Sequence, residues 1–86
     1  MYYTYVLKSS KNGRLYTGHT NDLRKRFKEH NSGQSEYTKM RGPYKLIYYE
    51  ACCDNGDAQA RELYLKSGKG KRYLKSRIKR FLFRTG

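Results

Sequence analysis

Two basic side chains lie one helical turn apart near the middle of this 86-residue chain. Residues 20–22 are all good helix N-caps and predict that a helix begins there. On its helical wheel Leu23 and Phe27 face the core, and Arg26 and His30 lie along one edge of that apolar stripe. Both side chains can therefore point into a cleft beside a sheet. The alternative, which spacing alone favours, is a solvated arginine and a histidine that interacts with the helix C-terminus.

A single carboxylate, Glu62, stands in a strongly basic segment: residues 61–86 contain ten Lys or Arg and no other acid. Carboxylate oxygen is the ligand that Mg²⁺ prefers, so Glu62 is a candidate metal ligand. The alternative is an ion pair with Lys66 one turn later, in the favourable i, i+4 orientation. Spacing alone favours the ion pair.

Tyr16 is a candidate base among ten tyrosines, most of which we expect to serve the core and the sheet edges. A phenol is a poor base at its ordinary pKa near 10. Positive neighbours or a metal would lower that pKa. Tyr16 lies on a strand that leads directly into the helix of Arg26 and His30, so positive neighbours are available.

The elements that must position these residues form a small α+β domain, residues 1–86, in the order ββαβαα. Asn12-Gly13 favours a hairpin between the first two strands. A Gly-Lys-Gly-Lys stretch, residues 68–71, lacks the spacing of a phosphate-binding loop but suits a basic connector that contacts a phosphate backbone. The predicted strands are 2–9, 14–19 and 44–51, and the predicted helices are about 20–31, 57–67 and 71–83.

The charge of the chain indicates a polyanionic partner. Twenty Lys and Arg oppose seven Asp and Glu, a net charge of +13, and 13 residues are aromatic. This combination is typical of nucleic-acid binding, although solubility or an anionic membrane surface would also explain the charge. No apolar run is long enough to span a bilayer, which makes a cytoplasmic protein the expectation. The adjacent Cys52 and Cys53 suit neither an ordinary disulfide nor a zinc site.

Two tyrosine triplets, Thr4-Tyr5-Val6 and Tyr16-Thr17-Gly18, are followed by Arg26 and His30 at ten and fourteen residues after the second tyrosine. Together these residues resemble the GIY-YIG nuclease superfamily, and most closely its small stand-alone members. Those members are similar to the catalytic domain of the excision-repair nuclease subunit. The likeness covers roughly residues 2–80 and includes the runs 41–50 and 61–70.

The resemblance implies a three-stranded antiparallel sheet flanked by helices, and phosphodiester hydrolysis with one Mg²⁺ or Mn²⁺. Carried over by residue, Tyr16 would be the general base, and Tyr5 would orient water or the scissile phosphate. Arg26 would stabilise charge on the phosphoryl oxygens. His30 would bind the phosphate or assist proton transfer. Glu62 would be the single protein ligand of the metal.

The substrate that the resemblance implies is DNA, nicked or cleaved at a particular structure, with repair as one role. Sequence specificity would be low or supplied by a protein partner, and the oligomeric state stays open. Gly18 would let the substrate approach the backbone. The full set of expected substrate-binding residues is Gly18, His19, Lys39, Arg41, Lys69, Lys71, Arg72 and Lys75.

The sequence departs from the family pattern at two informative places. His19 stands where the repair nucleases have a lysine. Many members carry an asparagine after the metal-binding glutamate, and no asparagine follows Asn55 in this chain. The alternative function is therefore a basic module that binds nucleic acid on the same fold without cleaving it.

Overall fold

The computed structural model describes residues 1–35, 39 and 41–85 of the chain. Within these residues lie three strands and four helices. The strands are β1 (Tyr2–Ser9), β2 (Leu15–Thr20) and β3 (Tyr44–Cys52). The helices are α1 (Leu23–Asn31), α2 (Asn55–Lys66), α3 (Gly68–Arg77) and α4 (Lys79–Thr85).

The strands form one antiparallel sheet in the order β2-β1-β3, which confirms the predicted α+β architecture. Gly13, with φ of 74°, takes the left-handed conformation in the β1–β2 turn, where glycine costs least. The central strand places Tyr5 opposite Gly18 of β2 on one side and opposite Tyr49 of β3 on the other. Each edge strand therefore borders the middle of β1.

The two faces of the sheet carry separate buried clusters, because successive residues of β1 point to opposite sides. On one face Tyr5 and Leu7 pack with Tyr44, and Leu23 and Phe27 of α1 close over them. This confirms the predicted apolar stripe of α1. On the other face Val6 packs with Leu65 of α2 and Leu74 of α3.

The first two helices begin at aspartates that accept hydrogen bonds from the first turn. The carboxylate of Asp22 accepts from the amide of Lys25 at 3.1 Å, which confirms the predicted cap of α1. Asp54 accepts from the amide of Asp57 at 3.1 Å, so α2 begins two residues earlier than predicted. Free N–H groups at a helix start need such acceptors.

The C-terminal helical region differs from its prediction. The expected helix 71–83 is two helices, because Ile78 leaves the helical conformation with φ of −118° and ψ of 30°. The expected connector is not a loop, since residues 68–70 form the first turn of α3. Ser67 caps this turn, and its hydroxyl accepts from the amide of Gly70 at 3.2 Å. Gly70 is buried against the end of α2.

Two smaller expectations concern cysteines and membranes. Cys52 and Cys53 are both free thiols at the end of β3. No helix in the described part of the chain has the length and apolar character needed to cross a membrane.

Candidate active site

The buried hydroxyl of Tyr5 hydrogen-bonds His30 across the α1 face of the sheet. The hydroxyl lies 2.8 Å from Nε2 of His30, and each residue is 1 % exposed. Burial, assisted by the nearby Arg26 cation, lowers the pKa of His30 to about 4. The imidazole is therefore neutral at neutral pH, and its Nε2 shares a hydrogen bond with the Tyr5 hydroxyl.

Arg26 approaches the same hydroxyl from the exposed side of α1. Its guanidinium lies within hydrogen-bonding reach of Tyr5 and donates to Oε1 of Glu29 at 3.1 Å. Burial works to lower the pKa of Arg26, but these contacts with Glu29 and Tyr5 outweigh it and raise the pKa. The side chain is 34 % exposed, so a fixed positive charge stands at the surface directly above Tyr5.

Tyr16 completes the aromatic group on this face. Its ring centroid lies 4.9 Å from that of His30 in an edge-to-face contact, and 6.4 Å from that of Tyr5. The ring is half-buried, whereas Tyr5 and His30 are fully enclosed. The Arg26 charge also interacts with the Tyr16 phenol. Tyr16 is therefore the partly exposed tyrosine of the group, beside the positive neighbour that its expected role requires.

Gly18 makes room for Tyr5. A Cβ at this position would lie 2.5 Å from the Tyr5 hydroxyl oxygen and 2.7 Å from the adjacent ring carbon. The phenol therefore extends across the backbone of β2, which only a glycine permits. Packing of Tyr5 therefore requires a glycine at position 18. This requirement is separate from the close approach of substrate that the sequence suggested.

Glu62 reaches the site from α2 and is held by His19 and Lys66. Its Oε1 lies 2.5 Å from Nδ1 of His19 on β2, and its Oε2 accepts from Lys66 at 2.5 Å. Partial burial works to raise the pKa of Glu62, but the hydrogen bonds from Lys66 and His19 outweigh it and lower the pKa. The ionised carboxylate is close enough to Tyr5 to help raise its pKa. The ion pair with Lys66 that spacing favoured is present.

The surroundings of Tyr5 determine the pKa of its hydroxyl. Burial chiefly raises the pKa of Tyr5 to about 12; Tyr16 and Glu62 act in the same direction, and Arg26 opposes them. Tyr5 thus stays protonated, with its hydroxyl hydrogen-bonded to His30 and the Arg26 charge close by. The structure brings together the five expected catalytic residues, with Tyr5 at their centre.

A groove of about 740 Å³ opens beside Tyr16, between the β1–β2 turn, the segment before β3 and helix α3. We call it the basic groove, because every charged residue among those described as lining it is a cation. It brings together three of the expected substrate-binding residues. The charged lining residues are Arg14, Arg41, Lys66, Lys71 and Lys75.

The other expected substrate-binding residues lie elsewhere. Gly18 and His19 are in β2, on the side of Tyr5 and of Glu62 respectively. Lys69 and Arg72 are exposed on α3 outside the groove. Lys39 is exposed, with residues 36–38 and 40 around it outside the described part of the chain.

The sequence model of the GIY-YIG catalytic domain matches residues 1–79. The chain belongs to the GIY-YIG family. Membership implies a nuclease-type function and a nucleic-acid substrate, since the family consists of endonucleases that typically depend on a divalent metal.

Relatives within the GIY-YIG family extend along most of the chain. A UPF0213 protein of Clostridium perfringens, CPE1444, is 51% identical over 67 residues, which are 77% of this chain and 71% of that protein. A UPF0213 protein of Staphylococcus saprophyticus, SSP2268, is 40% identical over 86% of this chain and 90% of its own. The solution NMR structure of the UPF0213 protein BH0048 from Bacillus halodurans is 35% identical. It aligns with a TM-score of 0.55 over 91% of this chain and 86% of that one.

The residues around Tyr5 and Glu62 fit a divalent ion held by one carboxylate. Glu62 is ionised and 16 % exposed, and a hard ion such as Mg²⁺ is commonly bound by one or two carboxylates together with waters and substrate phosphates. Among the described residues no three His, Cys, Asp or Glu side chains converge into a larger metal cluster. A bound ion would compete with His19 and Lys66 for the oxygens of Glu62.

Three residues at this site or in the basic groove were not predicted from the sequence to belong there. Glu29 fixes Arg26 through an i, i+3 pair, a spacing that was visible on the predicted helix. Arg14 and Lys66 line the basic groove. The cluster of Lys11 and Arg14 around the predicted turn was the available signal for Arg14, whereas Lys66 was considered only as a partner of Glu62.

Proposed function

We propose that this protein is a metal-dependent endonuclease that hydrolyses phosphodiester bonds in DNA, by nicking or by structure-directed cleavage. The observation that carries the proposal is the hydroxyl of Tyr5, which is hydrogen-bonded to His30 and has Arg26, Tyr16 and Glu62 within electrostatic reach. Four elements of the fold, β1, β2, α1 and α2, each contribute a residue or more to this cluster. Two buried polar residues in contact, in so small a core, favour function over stability as the reason for their presence.

Tyr16 is the general base in this proposal. It is the partly exposed phenol of the cluster, and the Arg26 charge lies within electrostatic reach of it. A base must reach the attacking water directly, and Tyr16 also lines the basic groove through which substrate would arrive. Tyr5 is protonated and enclosed, so it suits the accompanying role of orienting donor.

Arg26 stabilises the charge that develops on the phosphoryl oxygens. Its guanidinium carries more donors than its contacts with Glu29 and Tyr5 occupy, and it is one-third exposed. Glu29 and Tyr5 hold it in place before substrate binds. Preorganised donors of this kind contribute about 3 kcal/mol to transition-state stabilisation in other enzymes.

His30 acts through Tyr5 in this proposal. Because the imidazole is buried, the phosphate contact expected from the resemblance is replaced by the hydrogen bond to the Tyr5 hydroxyl. The hydrogen bond to Nε2 of His30 holds the Tyr5 hydroxyl in place beside Arg26.

Glu62 would hold the divalent ion, Mg²⁺ or Mn²⁺. The bound ion supplies Lewis-acid neutralisation of phosphate charge and an acidified water. His19 and Lys66 keep the Glu62 carboxylate ionised and in one orientation until then. His19 and Lys66 lie beside the carboxylate where substrate phosphate would also bind, which is the basis for the substrate-binding role proposed for His19.

The test is nicking of supercoiled plasmid with Mg²⁺ or Mn²⁺, beside an EDTA control and the variant Glu62→Gln. The proposal predicts nicking that EDTA and the substitution each abolish, with unchanged circular dichroism of the variant. Equal nicking by Glu62→Gln and by the wild-type protein would refute the assignment of the metal.

The second candidate is a module that binds nucleic acid without cleaving it. One observation favours it: both carboxylate oxygens of Glu62 already have hydrogen-bond partners, His19 and Lys66. It predicts salt-sensitive retention of the plasmid on a gel with no nicking under either metal. The plasmid experiment therefore separates the two candidates directly.

A further inference from the structure

The helix α2 offers the sheet a face on which apolar and charged residues alternate. The residues at the i, i+3, i+4 and i+7 positions of that face are Ala58, Arg61, Glu62 and Leu65. Ala58 and Leu65 are both 1 % exposed, whereas the two charged side chains remain partly exposed. Apolar contact is not directional, so one alanine and one leucine leave the helix free to shift on the sheet.

A row of three polar residues crosses the sheet beneath α2. Thr4 of β1 lies opposite His19 of β2 on one side and opposite Glu50 of β3 on the other. We call His19, Thr4 and Glu50 the polar row. The buried Thr4 hydroxyl donates to the carbonyl oxygen of Ala58 at 2.8 Å, so the middle of the row binds the backbone of α2 directly.

The two ends of the polar row bind two consecutive residues of α2. Nε of Arg61 donates to both carboxylate oxygens of Glu50, at 3.0 Å each. On the other side, Oε1 of Glu62 lies 2.5 Å from Nδ1 of His19. Because the partners stand on opposite edge strands, a shift of α2 towards either edge would lengthen one of the two contacts. Hydrogen bonds are directional, so together they select one position of the helix.

The β3 end of the polar row is itself held in place. The Tyr48 hydroxyl donates to Oε2 of Glu50 at 2.9 Å. The guanidinium of Arg61 lies 4.9 Å from the ring centroid of Tyr64 and 4.7 Å from that of Tyr73, at cation–π distance from both. The pair of Arg61 with Glu50 therefore has fixed surroundings on both partners, and it can act as an anchor for α2.

We propose that the polar row sets the position of α2 on the sheet and thereby directs the Glu62 carboxylate towards the site, with Thr4 and Arg61 as positioning residues. In an α-helix the carbonyl of Ala58 also accepts from the backbone N–H of Glu62, four residues later. The Thr4 hydroxyl thus shares its acceptor with the backbone of Glu62. The inference rests on the proposed function, which gives Glu62 its chemistry.

The test follows α2 by solution NMR without metal, so that the result does not depend on nuclease activity. Residual dipolar couplings of the α2 amides report the orientation of the helix relative to the sheet. The nuclear Overhauser effect between the His19 ring and the Glu62 γ-methylene reports their contact. Single-turnover nicking with Mn²⁺ is measured on the same proteins.

Two variants break the polar row at different points. Thr4→Val keeps the shape of the side chain and removes its hydroxyl, and Thr4→Ser restores the hydroxyl. Arg61→Met removes the charge at a partly exposed position, so it tests the row even if Thr4→Val does not fold. The matched control is Ile78→Ala, because Ile78 packs on the apolar cluster of the same face and is not part of the row.

We expect α2 to reorient by several degrees in Thr4→Val and in Arg61→Met, with the His19–Glu62 Overhauser effect weakened about twofold. Nicking should fall about tenfold or more, as for other small misplacements of a reacting group. Thr4→Ser should keep the wild-type couplings and rate. Ile78→Ala should unfold at lower urea while its couplings, Overhauser effect and rate stay those of the wild type.

Wild-type couplings and Overhauser effects in both row variants would overturn the inference, as would equal changes in Ile78→Ala. Failure of the proposed function is a separate outcome. If α2 reorients in the row variants of a protein that nicks no plasmid, the nuclease alone is refuted. If the row variants nick at the wild-type rate although α2 has moved, the positioning of Glu62 is refuted and the nuclease is not.

Discussion

The two faces of the central strand bury different kinds of side chain. On the α1 face Tyr5 is enclosed with His30, and a hydrogen bond of 2.8 Å joins them. On the α2 and α3 face its neighbour Val6 is enclosed with Leu65 and Leu74, all apolar. A buried polar pair contributes little net stability compared with apolar burial and is costly if either partner is lost.

The difference shows where the enclosed side chains serve stability alone. Apolar contacts and a close helix approach on the α2 and α3 face stabilise the domain. The core of the α1 face also encloses the titratable pair Tyr5 and His30, and α2 contributes the partly exposed Glu62 near them. The two faces should therefore respond differently to substitution, to pH and to the loss of a single hydroxyl.

The largest effect is expected on the stabilising face, from Gly70→Ala. A Cβ at Gly70 would lie 2.5 Å from the carbonyl carbon of Tyr64 and 2.6 Å from Cα of Leu65, both backbone atoms of α2. Helix α3 would have to move away, and we expect a loss of at least about 3 kcal/mol of unfolding free energy. Urea denaturation followed by circular dichroism measures it.

Gly68→Ala is the matched control, because its Cβ would approach nothing closer than 3.8 Å, the end of the Arg72 side chain. It should be neutral or slightly stabilising, since alanine is the better helix former. If Gly70→Ala has wild-type stability, the close approach of α3 to α2 does not contribute to the stability of this face.

A pH effect of intermediate size is expected on the α1 face. The folded-state pKa of His30, about 4, lies below its unfolded value near 6.5, so the unfolded chain binds more protons between these values. Stability from this group is complete above about pH 6.5 and is lost as the pH falls towards 4, by about 2 to 3 kcal/mol. Urea midpoints at pH 7, 6, 5 and 4 follow it.

His30→Gln is the comparison for that series, since the carboxylates of both proteins titrate alike. Its unfolding free energy should be lower at pH 7 and should change less between pH 7 and 4. Parallel pH profiles for the two proteins would show that His30 is not the group responsible.

The smallest stability effect is expected from Tyr5→Phe. The ring stays in place, but Nε2 of His30 loses its buried partner, which costs about 1 to 2 kcal/mol. Plasmid nicking should nevertheless fall more than tenfold, because Arg26 loses the oxygen that orients it. Tyr49→Phe, a change at a tyrosine that is 54 % exposed, should alter neither property. Wild-type nicking by Tyr5→Phe would show that the reaction does not need the Tyr5 hydroxyl.

Local patterns predicted the elements and the neighbours on one helix. The helical wheel placed Arg26 and His30 beside the core stripe, and i, i+4 spacing identified the pair of Glu62 with Lys66. The burial of His30 was not predictable, because it depends on Tyr5, 25 residues away on a strand. The His19 contact of Glu62 spans 43 residues and had no sequence signal.

The places of Gly68 and Gly70 in the fold could not be predicted from the sequence. The sequence favoured chain breaks at residues 68 and 70, and both lie inside α3. Gly70 allows the backbones of α2 and α3 to come into contact. This contact depends on the tertiary structure and not on the local sequence. The basic groove was equally hidden, since its walls join a turn near residue 14 to a helix near residue 75.

The central claim is that Tyr16 acts as the general base of a phosphodiester-cleaving site. The most direct measurement is the single-turnover nicking rate of Tyr16→Phe with saturating Mn²⁺, beside wild-type protein and Tyr49→Phe. We expect Tyr16→Phe to lose at least a hundredfold in rate with an unchanged urea midpoint, and Tyr49→Phe to match the wild type. A wild-type rate for Tyr16→Phe would contradict the account.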